Sequence, residues 1–256
     1  MAGRRVWLSV ALAVLLGGAG DGAASRQPAT LRDVGTALAA ATPGHPPTLA
    51  HRDLSYLDLS GLDFHQADLR DVNLYGADLR DADLSGADLS GADLDHTVII
   101  RTNFAHANLS HASLYAAVAY ATLDISQGKP PNFAGANLSG ALVVVRLGRA
   151  DLRGANLTQL RTGAGRSGQL FINLYTDLSG GDLTRADLSR AELRGVRLAF
   201  AHLAGARLTG ADLSHADLFH ADLTGADLTG ANLAGANIAE AVLSDASGLP
   251  KPDANR

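Results

Sequence analysis

The sequence has no cysteine. Disulfides, thiolate-held metals, a cysteine nucleophile and a lipid anchor on cysteine are therefore excluded, and stability must come from burial and hydrogen bonding. Aromatic residues make up 5 % of the chain, with a single Trp, too few for a bulky globular core. A Ser-His-Asp set, a carboxylate pair distinct from the general pattern, a phosphate-binding glycine loop and calcium-binding glycine-rich nonapeptides are also missing. Small and medium apolar side chains take their place. Hydrophobic residues are 46 % of the chain, mostly Ala and Leu, which suits a thin, repetitive core. Its 256 residues suffice for one or two ordinary domains.

The net charge of −5 is unevenly spread. Eleven acids lie between Asp53 and Asp95 against Arg70 and Arg80. From Arg146 to Arg207 the sign reverses, with ten arginines against Asp151, Asp177, Asp182, Asp187 and Glu192. Such asymmetry bears on partners and solubility, not on fold.

Residues 1–25 have the layout of a signal peptide, with Arg4 and Arg5, an apolar run from Val6 to Leu16 too short to span a bilayer, and small residues at Ala23-Ala24-Ser25. The stretch Gly3-Arg4-Arg5-Val6-Trp7-Leu8 also fits a twin-arginine signal as well as an ordinary secretory one. A secreted or periplasmic location is expected. Residues 26–51 form a linker or N-terminal cap. Leu31, Val34, Leu38 and Ala41 are spaced for a short amphipathic helix, with Thr30 as N-cap and Asp33 three residues on.

From Leu54 an apolar residue recurs every fifth position: Leu59, Phe64, Leu69, Leu74, Leu79, Leu84 and onward to Leu114. Ala or another small residue stands two places before most of them, and Asp or Asn one place before. The pattern returns from Leu178 to Leu243. Between the runs Phe133 and Leu138 keep one register, while Leu142, Leu147, Leu152 and Leu157 keep another, slipped by one residue. Leu174 to Leu178 is again a step of four. A period of five fits neither helix nor strand, and either would scatter the leucines over all faces. The chain must bend at each step and aim one leucine and one small residue inward. Four steps close a square coil, and stacked coils share hydrogen bonds at about 4.8 Å.

Triplets such as Ala82-Asp83-Leu84, Ala87-Asp88-Leu89, Ala221-Asp222-Leu223 and Ala231-Asn232-Leu233 resemble the A(D/N)LXX signature of the pentapeptide-repeat family, over most of residues 52–245. The resemblance implies an all-β fold, a right-handed quadrilateral β-helix, here of roughly nine coils and about 45 Å. Loops are expected to leave it near 124–132 and 158–169, where turn residues and a Gly- and Arg-rich stretch break the period. Residues 246–256 are a polar tail.

Rows of Asp and Asn look catalytic or calcium-binding, but such side chains ordinarily bond turn N–H groups. No metal or cofactor is expected, because the histidines do not converge. Residues twenty apart should stack, which sets Phe200 beside His220 and Glu240, Tyr75 beside Asp95 and Tyr115, Ile100 between Arg80 and Tyr120, and pairs Asp81 with Arg101. Exposed aromatics mark contact surfaces, so Tyr75, Tyr115, Tyr120, Phe200, Phe219 and His220 are candidate partner contacts. Arg161 and Arg166 give the second loop a positive tip. The expected function is an exported, non-catalytic scaffold for an unknown protein partner, with no nucleic acid and no membrane span after signal removal. The family resemblance also implies an alternative, a DNA-mimicking gyrase-binding protein. A β-helix enzyme acting on polysaccharide is a further one, resting on architecture alone.

Overall fold

The computed structural model describes residues 26–42, 44–120, 129–163 and 175–249. The expected signal peptide, Leu174, Arg166 and residues 124–128 and 164–169 of the two expected loops lie outside the described residues. No helix among the described residues is long and apolar enough to cross a membrane.

The five-residue step is a bend built from one hydrogen-bond set. At Leu84 the backbone N–H donates to the Asn103 carbonyl of the next coil (2.8 Å), Asp83 N–H donates back to Leu62 (3.0 Å), and Ala87 N–H closes the corner on the Leu84 carbonyl (3.1 Å). The third residue of that corner, Gly86, has φ +67°, the feature of a type II turn. Asp83 stabilises the corner by accepting from Ser85 N–H at 3.0 Å.

Repetition of this unit gives four parallel ladders, one per face. One runs through Thr48, Asp68, Asp88, Asn108, Asn137, Asn156, Asp187, Arg207, Asp227 and Ser247, each residue bridged to the next. Its nine steps amount to about 43 Å at the usual strand spacing. Inside, the central apolar residues from Leu54 to Leu228 are almost wholly buried, with the alanines beside them. Phe104 and Phe133 stack with centroids 4.9 Å apart and planes 6° off parallel. Threonines that replace the small residue satisfy their hydroxyls on backbone: Thr97 on Leu94 (2.7 Å) and Thr102 on Leu79 (2.7 Å).

The ladders count the irregularities. Asn103 pairs with Asn132 and Asn108 with Asn137, 29 residues apart instead of twenty, nine more than a coil needs. Asp151 pairs with Asp182 and Arg161 with Glu192, 31 apart, eleven more than a coil needs. Asn132–Asp151 and Leu142–Arg161 are 19 apart, a coil short by one residue.

That short coil corrects the register expected at Leu142. Two three-residue strands, β3 (Ser113–Tyr115) and β4 (Leu142–Val144), pair in parallel with Leu114 opposite Val143. The two-residue strands β1 (Gln27–Pro28) and β2 (Arg52–Asp53) lie upstream, at the cap. Val143 fills the core and is 2 % exposed, whereas Leu142 is half-buried on the outside. The step of four therefore lies between Val143 and Leu147. Ladder pairing fixes the register here, and the larger apolar side chain yields to it.

The two ends differ. At the N-terminal end, helix α1 (Leu31–Ala39) starts at Thr30, whose hydroxyl accepts from Asp33 N–H while the Asp33 carboxylate accepts from Thr30 N–H. β1 (Gln27–Pro28) pairs with β2 (Arg52–Asp53), and the Arg52 guanidinium donates to the Gln27 and Pro28 carbonyls at 3.3 Å. Of the apolar positions of α1, Val34 is fully buried and Leu38 half-buried, but Leu31 is 51 % exposed, so the buried stripe is narrower than the spacing predicts. At the other end Ala231, Leu233, Ala241 and Leu243 are only half-buried, with Ala246 and Leu249 packed against the core. No helix covers that end among the described residues.

Candidate functional surface

Each corner exposes two residues, the second in the left-handed region. Long side chains there lie over the corner of the next coil. At the corner that follows the Asp53, Asn73, Asp93 and Ser113 ladder this makes an aromatic ridge. Tyr56, Tyr75, His96 and Tyr115 follow one another with centroids 5.6, 5.1 and 6.0 Å apart, each ring tilted or edge-on to the last. Strict twenty-residue stacking places Asp95 between Tyr75 and Tyr115. The structure places His96 there instead, because the rings zigzag across the corner in steps of 19 and 21. That alternation is the signal that would have found Tyr56 and His96.

Asp95 turns to the backbone beside the ridge, accepting from the Ser113 hydroxyl and from Tyr115 N–H at 2.8 Å. Its neighbour Asp93 is pushed above the usual carboxylate range, first by burial and then by the charge of Asp95. Burial likewise raises the Tyr75 phenol.

A second aromatic group sits one corner round. Phe200, 57 % exposed, stacks on His220 (5.1 Å, 18°) and meets Phe219 edge-on (5.7 Å). Phe219 contacts His220 at 4.2 Å, and His220 Nε2 lies 3.1 Å from Glu240. Phe200, Phe219 and His220 are thus one cluster. Tyr120 stands apart from both groups. It is half-buried, its hydroxyl has no hydrogen-bond partner among the described residues, and burial pushes its pKa up to about 12.

The arginines fall into two sets. Arg70, Arg80, Arg153 and Arg207 fold onto Asp68, Asp78, Asp151 and Asp187. Arg101 takes Asp81 of the preceding coil, with Nε 2.6 Å from Oδ1. Arg197 lies over the Tyr175 ring at 4.3 Å. Among the described residues, Arg146, Arg161, Arg185, Arg190 and Arg194 have no carboxylate within 4 Å. Arg161 and Arg190 line an open groove with His111, Gly140, Gln159 and Glu192.

The acids do corner work. Asp58, Asp83, Asp187, Asp222 and Asp227 each accept from the backbone N–H two residues on. Asparagines extend this between coils, Asn108 donating to Asp88 (2.9 Å), Asn137 to Asn108 (3.0 Å) and Asn156 to Asn137 (3.0 Å). Among the described residues no three His, Asp or Glu side chains converge as metal ligands would.

No curated protein sequence matches the chain. Among solved structures, the chain is similar to HetL, a pentapeptide repeat protein involved in heterocyst differentiation regulation from the cyanobacterium Nostoc, at 32 % identity over 78 % of this chain and 88 % of that one, with a TM-score of 0.40. QnrB1, a plasmid-mediated fluoroquinolone resistance protein, matches at 22 % identity over 74 % and 85 %, with a TM-score of 0.46. A pentapeptide repeat protein from the thylakoid lumen of Arabidopsis thaliana matches at 28 % over 44 % and 66 %, with a TM-score of 0.24. The family model for pentapeptide repeats matches residues 53–86, 77–114, 175–210 and 211–247 in eight copies. The corner chemistry, the four ladders and this match agree: the chain belongs to the pentapeptide-repeat family and winds as its right-handed quadrilateral β-helix.

Proposed function

We propose that this chain is an exported, non-catalytic scaffold that holds a protein partner against the side of its rod. The observation that carries the reading is the Phe200–Phe219–His220 cluster. A pentapeptide coil needs nothing apolar at its outer corners, yet here an exposed Phe200 packs against a half-buried Phe219 on the next coil, joined through His220 to Glu240. Rigid aromatics beside a charged rim are what a protein interface uses. The absence of catalysis rests on the ladder aspartates: one oxygen of each accepts from a corner N–H, so they form rows of alike turns. Export rests on the composition of residues 1–25. The gyrase reading is not adopted, because imitation of duplex DNA needs continuous negative charge, and the band from Arg146 to Arg207 breaks it.

The test compares the wild-type chain with Phe200→Ala/Phe219→Ala as bait for the envelope fraction of its own cells. Both positions are outside the core, so the circular dichroism of the coil should be unchanged while partner capture falls at least about tenfold, the loss expected when an aromatic anchor worth more than ~1.4 kcal/mol is removed. Equal capture by both proteins would end the reading. Export is tested separately by fractionating cells with and without residues 1–25.

A further inference from the structure

We propose that two copies of this chain associate side by side and antiparallel through the face that carries β3 and β4, about a two-fold axis between those strands. This surface lies away from the Phe200 cluster, so the inference goes beyond the function proposed above and fails independently of it.

Charge and register both point to a second copy. Along this face the ladder runs Asp53, Asn73, Asp93, Ser113, Leu142, Arg161, Glu192, Asp212. Its upstream coils carry Asp71 and Asp93, whose only cationic neighbour within 4 Å among the described residues is His51, 3.4 Å from Asp71. Its downstream coils carry Arg161, Arg190 and Arg194, exposed and without a carboxylate within 4 Å among the described residues. An axis lying in the face and crossing the rod between Ser113 and Leu142 reverses the order of coils but keeps each lane opposite itself. Asp93 then meets Arg161 in the central lane. Asp71 meets Arg190 along one edge, and Tyr75 meets Arg194 along the other as a cation over a ring. Next to the axis, Ser113 meets Leu142, and His111 meets the bare corner of Gly140. Asn73 meets Glu192 without a like-charge contact. Asp53 meets Asp212 at the rim, where solvent screens the pair. Isologous contact of this kind makes every match occur twice.

The contact is small. Six coils extend about 29 Å, one coil face wide, which places it in the weak, transient class. Opposite charges then supply register and encounter more than affinity, so the association must be sensitive to salt.

The experiment is sedimentation velocity on the purified chain at about 0.05 M and about 0.5 M salt. A dimer at low salt should lose affinity by about tenfold or more at high salt. Arg161→Glu/Arg190→Glu and Asp71→Arg/Asp93→Arg should each sediment as monomers at low salt, and an equimolar mixture of the two should return a one-to-one dimer. The substitutions are on the outside of the coil, and circular dichroism checks that each variant is wound. Should either fail to wind, the salt response of the wild-type chain and the neutral variant Arg161→Gln/Arg190→Gln, expected to weaken the dimer, decide the matter. A wild-type monomer at both salts, a dimer indifferent to salt or to these charges, or a mixture that stays monomeric would overturn the proposal.

Discussion

Gly135 shows how two demands meet at one residue. Its φ is +65°, and a Cβ built there would fall 2.4 Å from Nδ1 of His106, whose ring lies across it from the previous coil. The same pairing of a long side chain with the following coil's glycine recurs at Tyr56 and Gly76, Asp71 and Gly91, and His111 and Gly140. Many corners tolerate the left-handed region without glycine, His106 at φ +59° among them, so what distinguishes Gly135 is the occupied space. Gly135→Ala should cost about 1–2 kcal/mol for the left-handed backbone and more for the clash. His106→Ala in the same chain should recover the clash part in a double-mutant cycle by urea unfolding; additive costs would mean that the ring moves aside freely. Carboxylates set the response to acid. Asp227 accepts from the Thr229 side chain and N–H, the Thr209 hydroxyl and Ser247, and is lowered to about 2. Asp58, Asp83 and Asp222 are lowered as well. A lowered acid adds stability above its unfolded value near 3.8, lost as pH falls through the folded value. The urea midpoint should therefore hold at neutral pH and fall between pH ~4 and pH ~2. Asp93 has the opposite sign, its contribution being present below the unfolded value and lost as pH rises. Asp93→Asn keeps the oxygen that accepts from Asp95 N–H and should raise the midpoint at pH 7 but not at pH 3; a lowered midpoint at pH 7 would show that the charge is wanted there.

At the level of elements, α1 is the one departure from the coil, and its seat is narrow. Val34 alone is fully buried from that helix, backed by the β1–β2 pairing and the Ala29 N–H bond to Asp53 at 2.8 Å. Val34→Asp places an unpaired charge in that seat, which costs several kcal/mol when buried, more than so small a contact can hold. The helix should undock, and trypsin should cut at Arg32 and Arg52 faster while the coil from Leu54 onward resists; unchanged cleavage would mean that α1 is held by more than Val34. This element was legible beforehand, because a capping box and a 3.6-residue spacing are local signals and Thr30, Asp33 and Val34 carry both. The coil was legible for a related reason, since every fifth residue answers to the same corner. Legibility fails where neighbours outside the pentad decide. Leu142 outranks Val143 in hydrophobicity, but pairing with Ser113–Tyr115 settles which of them faces in. The twenty-residue spacing sets Tyr75 and Tyr115 in one column with Asp95 between them, whereas the ridge that joins them through His96 depends on which side of a corner each ring falls. Phe200 and His220 lie twenty apart and stack as the spacing predicts. Arg161 was placed in a loop tip, yet it belongs to the coil, bridged to Leu142 and Glu192.

For the whole molecule, a stack whose coils touch only their neighbours has a stability profile set by its ends. A coil in the middle has a partner on both sides. At the N-terminal end α1 and β1 supply part of a partner, and Leu54 and Leu59 are already fully buried. At the C-terminal end the core residues stay half-buried, Ile238 is 40 % exposed and Val242 46 %. Leu223 N–H still donates to Val242 at 2.8 Å and Leu228 N–H to Ser247 at 2.9 Å, but Leu233 and Leu243 have no coil beyond them among the described residues. Opening should therefore run inward from that end, each coil released losing its ladder bonds and re-exposing the next. Amide exchange under native conditions should be fastest in 231–249, slower in 211–230, and slowest in 77–114, with 52–69 closer to the middle than to the far end. The order follows from burial, not from sequence, since Ala-Asp/Asn-Leu triplets recur in both 77–114 and 211–249. Two outcomes would contradict it. Uniform protection along the rod would mean that the coils open as one cooperative unit. Protection of 231–249 equal to that of 77–114 would mean that the C-terminal end is covered in solution, by residues 250–256 or by another molecule.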